Sequence, residues 1–397
     1  MNTSLYLNAL GVVSALGVGK QENYDAMIAG DQSNLVKTDK WTPGQMEVLG
    51  VIPSAPPELP SLSRALLTRN NGYLYLAAQE IEREIKTAIS KYGANRVGVV
   101  IGTSNSGIDE SEQAMRHRYQ FGTFPEVYHF SQQEIGSPSA FLTAIYGLAG
   151  PAYSVSAACA SGGKAFSAAA RLIDNGFCDA VLVGGADTLC GMTVGGFRSL
   201  QALSDTICNP MSRNRSGTNI GEGAALFLMT KEQSNICFMG AGECSDAYHV
   251  SAPEPNGVGA EKAMRQALYY AEVAASDIDY LNLHGTATEL NDSMEVAAIS
   301  RLFGAHLPLS SVKPMTGHTL GAAGAVEAAL VWLCLENAGE AVALPPHIWD
   351  GEIDLDMPPV NLVEKGSRIS SDDRLIMMSN SFAFGGSNVS VILGRDV

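Results

Sequence analysis

An α/β fold made of two similar halves is what this sequence predicts. Three observations predict it. Apolar runs bounded by glycine alternate with helical patterns along the chain. Two Gly/Ala-rich stretches, "ACASGGKAFSAAARLI" and "TLGAAGAVEAALVWLCLENAG", each follow an apolar run. Each half then closes with a Gly-rich turn that feeds a strand, "IGEGAALFLM" and "FGGSNVSVIL". A weakly repeated βαβ unit accounts for all three. Gly and Ala allow helices to approach closely, so both helices are expected side by side at the centre. Near-continuous apolar strands predict a mostly parallel sheet in each half. The division falls at 1–235 and 236–397.

The elements follow in order. "MNTSLYLNALGVVSALGVGK" is apolar without a basic n-region, so it reads as a strand and a Gly turn rather than a signal peptide. "VIPSAPPELP" (51–60) is a surface loop before a helix containing "LYLAAQEIEREIKTAI". "RVGVVIG" (96–102), "AVLVGGA" (180–186) and "EGAALFLM" (222–229) are buried strands by their apolar content and Gly boundaries. The second half opens near 236 with "ICFMGAGECSDA". A helix, "GAEKAMRQALYYAEV", comes next, then the strand "IDYLNLHG" (278–285) and the connection "LPLSSVKPMTGH" (307–318).

Composition narrows the function classes. The chain has 397 residues, 46% hydrophobic and 17% charged, enough for a large core. No apolar run reaches the roughly 18–20 residues of a membrane span. A net charge of −16 argues against nucleic acid and anionic membranes as partners. An acidic protein partner would need a local basic patch. Seven cysteines are scattered without CxxC or Cys/His metal spacing. Neither a disulfide framework nor a metal site is expected, and a reducing cytoplasm is the expected compartment.

Three residues carry candidate chemistry. Cys159 lies in "PAYSVSAACASGGKAF" (151–166), between alanines and just before a small-residue helix. Cysteine is commonly a small core hydrophobe. A helix N-terminus also offers free N–H groups and partial positive charge, which favour a thiolate and can hold an oxyanion. His284 ends a strand and precedes "GTAT", with hydroxyls at Thr286 and Thr288. His318 follows "KPMTG" at a helix start. Both histidines fall at C-terminal strand ends, where α/β sheets build their sites. Lys313, five residues before His318, would keep two nearby histidines neutral by like-charge repulsion.

The Cys159 segment, "HGTATELND", "SVKPMTGHTLGAAGAVEA" and "NSFAFGGSN" together resemble the elongating β-ketoacyl-acyl carrier protein synthases. The resemblance runs along nearly the whole chain, through "GVVSALG", "GGFRSLQALSD", "NPMSRNRSGTNIGEGAA" and "SDAYHVSAPEPNG". It implies the thiolase fold, two similar βαβ halves in a five-layered α-β-α-β-α arrangement. It implies that Cys159 takes an acyl chain from a carrier protein's phosphopantetheine. His284 and His318 would then bind the malonyl thioester and promote loss of CO₂. Lys313 would organise the pair, and Glu327 would support Lys313. The N–H groups of Cys159 and Phe382 match the oxyanion hole. Thr286 and Thr288 match pantetheine-binding positions, and Phe382 matches the gate. No metal or redox cofactor is implied, because phosphopantetheine arrives on the carrier. The third catalytic position is His in "TGH", unlike the Cys/His/Asn pattern of initiating synthases.

Three departures bear on substrate. Ala383 stands between the two Phe of "NSFAFGG", where the resemblance calls for Gly. "GTSNSG" (102–107) departs from "GTGxGG", and Lys164 follows Cys159 by five residues. These features are similar to synthases of specialised pathways such as aryl polyene clusters. A homodimer is expected, with a heterodimer beside a second synthase-like chain as the alternative. A mainly structural, chain-length role is the competing reading of function. Carrier docking would use Arg64, Arg69, Arg116, Arg118 and Arg213.

Overall fold

The structure, a computed structural model, describes residues 4–370 and 374–396. Ten strands build two equivalent half-sheets. The first half holds β1 (Leu5–Ser14), β2 (Val97–Gly102), β3 (Ala152–Val155), β4 (Ala180–Asp187) and β5 (Gly223–Thr230). The second holds β6 (Cys237–Ser245), β7 (Tyr280–Asn282), β8 (Pro308–Ser310), β9 (Arg374–Ala383) and β10 (Ser387–Asp396). The first order is β1-β5-β4-β2-β3 and the second is β6-β10-β9-β7-β8. Directions repeat as well. β1/β5 and β5/β4 are antiparallel, β4/β2 and β2/β3 parallel. The second half has the same sequence of directions. The expected mostly parallel sheets are therefore mixed. The strands read as continuous apolar runs because both faces are covered, and that burial pattern does not report direction.

Besides a helix at Lys20–Ala29 and a short one at Lys313–Thr316, the described residues form α1 (Arg69–Glu80), α2 (Glu82–Tyr92), α3 (Ile108–Phe121), α4 (Ser137–Tyr146), α5 (Ser161–Asp174), α6 (Gly191–Ser199), α7 (Val258–Ala271), α8 (Glu289–Phe303) and α9 (Ala323–Glu336). The expected single helix across "LYLAAQEIEREIKTAI" breaks at Ile81, which separates α1 from α2. α1 and α4 cover the outer face of the first half-sheet, and α7 with α8 beside it covers that of the second. α5 and α9 lie between the two sheets and touch both. The result is five layers, α-β-α-β-α, the thiolase fold. β1 pairs with β6 at Leu5–Phe238 and Tyr6–Cys237, so the two sheets join along one edge.

The central helices explain their own composition. A Cβ on Gly324 would lie 2.5 Å from the Gly163 nitrogen, and one on Gly162 would lie 2.7 Å from the Ala325 nitrogen. Backbone meets backbone there, so neither position tolerates a side chain. α9 is buried on all sides from Ala323 to Leu335, which is why it carries no amphipathic pattern. This crossing brings the turns that precede α5 and α9 together.

Candidate active site

Two turns deliver the sulfur and one imidazole. β3 ends at Val155, and the chain reaches α5 through Ala157–Ala160. Ala158 is left-handed at φ 48, which turns the backbone so that Cys159 stands at the helix start. Ser161 Oγ holds this bend, accepting from the Ala157 N–H and donating to the Ala158 carbonyl. In the second half β8 leads to Lys313, then His318, then α9. His318 is fixed through its backbone, N–H to the Asn219 carbonyl at 2.6 Å and carbonyl from the Gly221 N–H at 2.8 Å. His318 Nε2 lies 3.0 Å from Cys159 Sγ.

The second imidazole comes from the turn after β7. The Glu295 carboxylate accepts the N–H groups of His284 and Gly285, each at 2.8 Å. The His284 and His318 rings lie edge to face, 5.4 Å between centroids. Lys313 is fully buried. Its Nζ donates to the His284 carbonyl and to Glu327 Oε1, the latter at 2.5 Å. Thus Lys313 braces the pair through backbone and charge.

Electrostatics fix the protonation states. Burial and then the Lys313 charge hold both histidines well below their ordinary range, so both are neutral. Among the described residues neither Nδ1 has a hydrogen-bond partner. Burial pushes the Cys159 thiol up to about 12, with Lys313 and the Phe384 N–H pulling against it. Burial thus works against the thiolate that the helix start favours. Burial also pushes Glu327 and Glu295 up to about 7.

The oxyanion donors also need correction. The amides aimed at the sulfur are those of Phe384 and of Cys159 itself. The expected Phe382 instead lies within β9, paired with Asn388, its ring 6.2 Å from His284. The ring stacked over the entrance is Phe384, 5.3 Å from Phe197, which in turn meets His318 edge-on. Ala383 has φ −103 and ψ 154, an extended geometry open to any residue. Alanine therefore sits at this position without backbone strain. Positive φ falls at Gly385 and Gly386.

A cavity of about 350 Å³ leads to the sulfur. Thr286, Thr288, Phe382, Ala383 and Phe384 line it together with the Cys/His/His trio. The two threonine hydroxyls are 3.1 Å apart. The donor atoms of Cys159, His284 and His318 lie within 4.8 Å of one another, a spacing one cation could bridge. The adjacent buried Lys313 ammonium opposes a second cation there.

The remaining candidates lie elsewhere. Arg69 is not free for docking: its guanidinium is bidentate to buried Glu222. Arg64, Arg116 and Arg118 stay exposed around the end of α3 and the loop after it. Arg213 is exposed near Glu352, 3.9 Å away. Lys164 pairs with Glu243 at 3.3 Å. "GTSNSG" wraps the Asp187 carboxylate. Glu295, Asp187 and Phe384 went unassigned in the sequence. Phe384 was in view within "NSFAFGG"; Glu295 and Asp187 had only the signal of an acid among apolar neighbours.

A thiolase-fold core with a buried Cys/His/His constellation defines a condensing-enzyme class. Residues 69–234 match the family model "Beta-ketoacyl synthase, N-terminal domain" and 237–347 the model "Beta-ketoacyl synthase, C-terminal domain". The chain belongs to the β-ketoacyl synthase family. It is 32% identical over 347 residues to 3-oxoacyl-[acyl-carrier-protein] synthase 2 of Staphylococcus aureus, covering 83% of this chain and 82% of that one. It is 33% identical over 328 residues to nodulation protein E of Rhizobium meliloti, covering 79% of each. Among solved structures it matches the ketosynthase ApeO in complex with its chain length factor ApeC from Xenorhabdus doucetiae. That match has a TM-score of 0.94 and 41% identity, over 99% of this chain and 98% of that chain.

Proposed function

We propose that this protein is a β-ketoacyl-acyl carrier protein synthase that elongates a chain by decarboxylative condensation. The observation that carries the reading is the Cys159 sulfur in contact with neutral His318, facing the Cys159 and Phe384 amides. Cys159 attacks the acyl thioester, and its proton leaves with the pantetheine thiol. Malonyl-carrier protein then enters, and the pantetheine arm runs past Thr286 and Thr288. His284 and His318 donate hydrogen bonds to the malonyl thioester oxygen. The bond to the carboxylate breaks, CO₂ leaves, and the electron pair becomes an enolate. The enolate carbon attacks the acyl carbonyl on Cys159, whose oxyanion the two amides receive. The carbon–sulfur bond breaks and the β-ketoacyl chain stays on the carrier. Decarboxylation drives the sequence, so no redox cofactor or metal is required.

The retained nucleophile and its working surroundings favour this over a purely structural chain-length role. The substrate is a chain of a specialised pathway, of the fatty, polyene or polyketide kind. Support comes from the 41% identity to a ketosynthase that works beside a chain length factor. The partner surface is the open edge of β3, where the Tyr153 side chain is exposed. Among the described residues no helix is long and apolar enough to cross a membrane, and we place the reaction in the cytoplasm. The test is intact-mass analysis after sequential addition of acyl- and malonyl-carrier proteins. An acyl adduct on Cys159, followed by a β-ketoacyl-carrier, is expected. An adduct on another cysteine, with Cys159 bare, would contradict the reading.

A further inference from the structure

One wholly buried carboxylate joins three segments of the site. Asp187 ends β4. Its Oδ1 accepts from Thr103 Oγ1 at 2.5 Å, the Ser104 N–H at 3.0 Å and the Asn105 N–H at 3.1 Å. Its Oδ2 accepts from Ser104 Oγ at 2.5 Å and from the Gly321 N–H at 2.6 Å. All these partners are neutral. The first turn follows β2, and Gly321 lies three residues after His318.

Both turns are strained. Ser106 has φ 47 and Leu320 has φ 52. A left-handed residue of this kind persists only where its surroundings over-determine it. A Cβ on Gly321 would lie 2.5 Å from the Ser104 nitrogen and 2.7 Å from Asp187 Oδ2. Glycine is therefore what allows the carboxylate to reach the His318 turn.

We propose that Asp187 is a positioning residue: it pins the His318 turn to the Thr103–Asn105 turn and so sets His318 Nε2 on the Cys159 sulfur. The inference rests on the condensing function only for its effect on turnover. The Cys159–His318 contact belongs to the resting protein.

The test is Asp187→Asn, which keeps the shape but turns an amide NH₂ toward N–H donors. Malonyl decarboxylation should fall in kcat by about 10- to 100-fold, with KM for malonyl-carrier protein unchanged, because a small displacement of a reacting group suffices. Iodoacetamide alkylation of Cys159 should slow about three-fold or more, since the thiol loses its imidazole partner. A purely electrostatic role predicts the opposite sign, because removing a nearby negative charge eases thiol ionisation. Unchanged or faster alkylation overturns the proposal. Gly321→Ala should reproduce the slower alkylation, and the double variant should be no worse than the worse single one. Additive losses also overturn it. If Asp187→Asn does not fold, Ser104→Ala removes one donor and should slow alkylation about two-fold; no change refutes the role. Normal alkylation with no CO₂ release by the unmodified protein would instead sink the condensing function and leave the Asp187 test standing.

Discussion

Cys159 and His318 occupy the same place in the two halves of the molecule. Each follows the third strand of its half-sheet and precedes the central helix, β3 to α5 and β8 to α9. The turn after β2 and the His284 turn after β7 correspond in the same way. So do Asp187 at the end of β4 and the Phe382–Phe384 segment at the end of β9. What differs is the load. The first-half turns carry the sulfur, its own amide and a carboxylate that braces backbone. The second-half turns carry both imidazoles, the lysine and the Phe384 amide. In the proposed reaction the first half holds the acyl chain, with the Phe384 amide assisting, the second half carries decarboxylation, and the α5–α9 crossing brings the two into contact.

The largest expected effect separates the halves at the sulfur. Cys159→Ala should abolish the acyl adduct and all condensation, read by intact mass. An adduct that survives would break the assignment of the first half. Removing either imidazole should cost about 10²–10³ in malonyl decarboxylation, as for the loss of one preorganised donor. Near-normal CO₂ release by His284→Ala or His318→Ala would break the assignment of the second.

Arginines sharpen a different contrast. Arg69→Ala leaves buried Glu222 without a countercharge and should cost about 3 kcal/mol, measured by denaturant unfolding. Arg64→Ala at the surface should change stability by less than about 0.5 kcal/mol. If the exposed arginines dock an acidic carrier, Arg64→Ala should instead raise the apparent KM for carrier protein, and more at low salt. An unchanged KM at every ionic strength removes Arg64 from the docking surface.

The histidine pair also sets a pH signature. The folded state rejects protons that the unfolded chain accepts below 6.5, the ordinary histidine value. Their contribution is complete above 6.5 and is lost as pH falls through that value. One unit lower, each histidine should cost about 1.4 kcal/mol of stability. Thermal scans of the protein and of His318→Gln between pH 7 and 5.5 should therefore show a shallower decline for the variant. Parallel declines would mean that His318 titrates normally.

The smallest effect is expected at Ala383. Its φ is already negative, so Ala383→Gly should change acylation and condensation by less than about two-fold. A larger change in condensation alone would mean that the gate visits a positive φ at this residue. Gly385→Ala is the harsher probe, since φ there is 80.

Much of this was legible in the sequence because small residues leave a trace. The Gly/Ala content of α5 and α9 reported their contact, and the paired turn motifs reported the repeat. Cys159, His284, His318 and Lys313 sit in local patterns at strand ends and helix starts, while Glu327 was reached only through the family resemblance. Strand direction was not legible, since strands buried on both faces read alike whether parallel or antiparallel. Nor could the pattern separate Phe382 from Phe384, because two residues of strand register decide which amide meets the sulfur. Arg69 looked like any surface charge until Glu222, 153 positions away, closed on it. Asp187 and Glu295 act on backbone N–H groups, which a side-chain pattern does not display. The thiol protonation state depends on burial, which outweighs the helix start that the sequence shows.

The most direct test of the division between halves is CO₂ release from malonyl-carrier protein, measured in parallel with acyl transfer on Cys159→Ala and His318→Ala. That division predicts that Cys159→Ala releases CO₂ but holds no acyl chain, and that His318→Ala accepts the chain but releases almost no CO₂. Loss of both activities in both folded variants would contradict it.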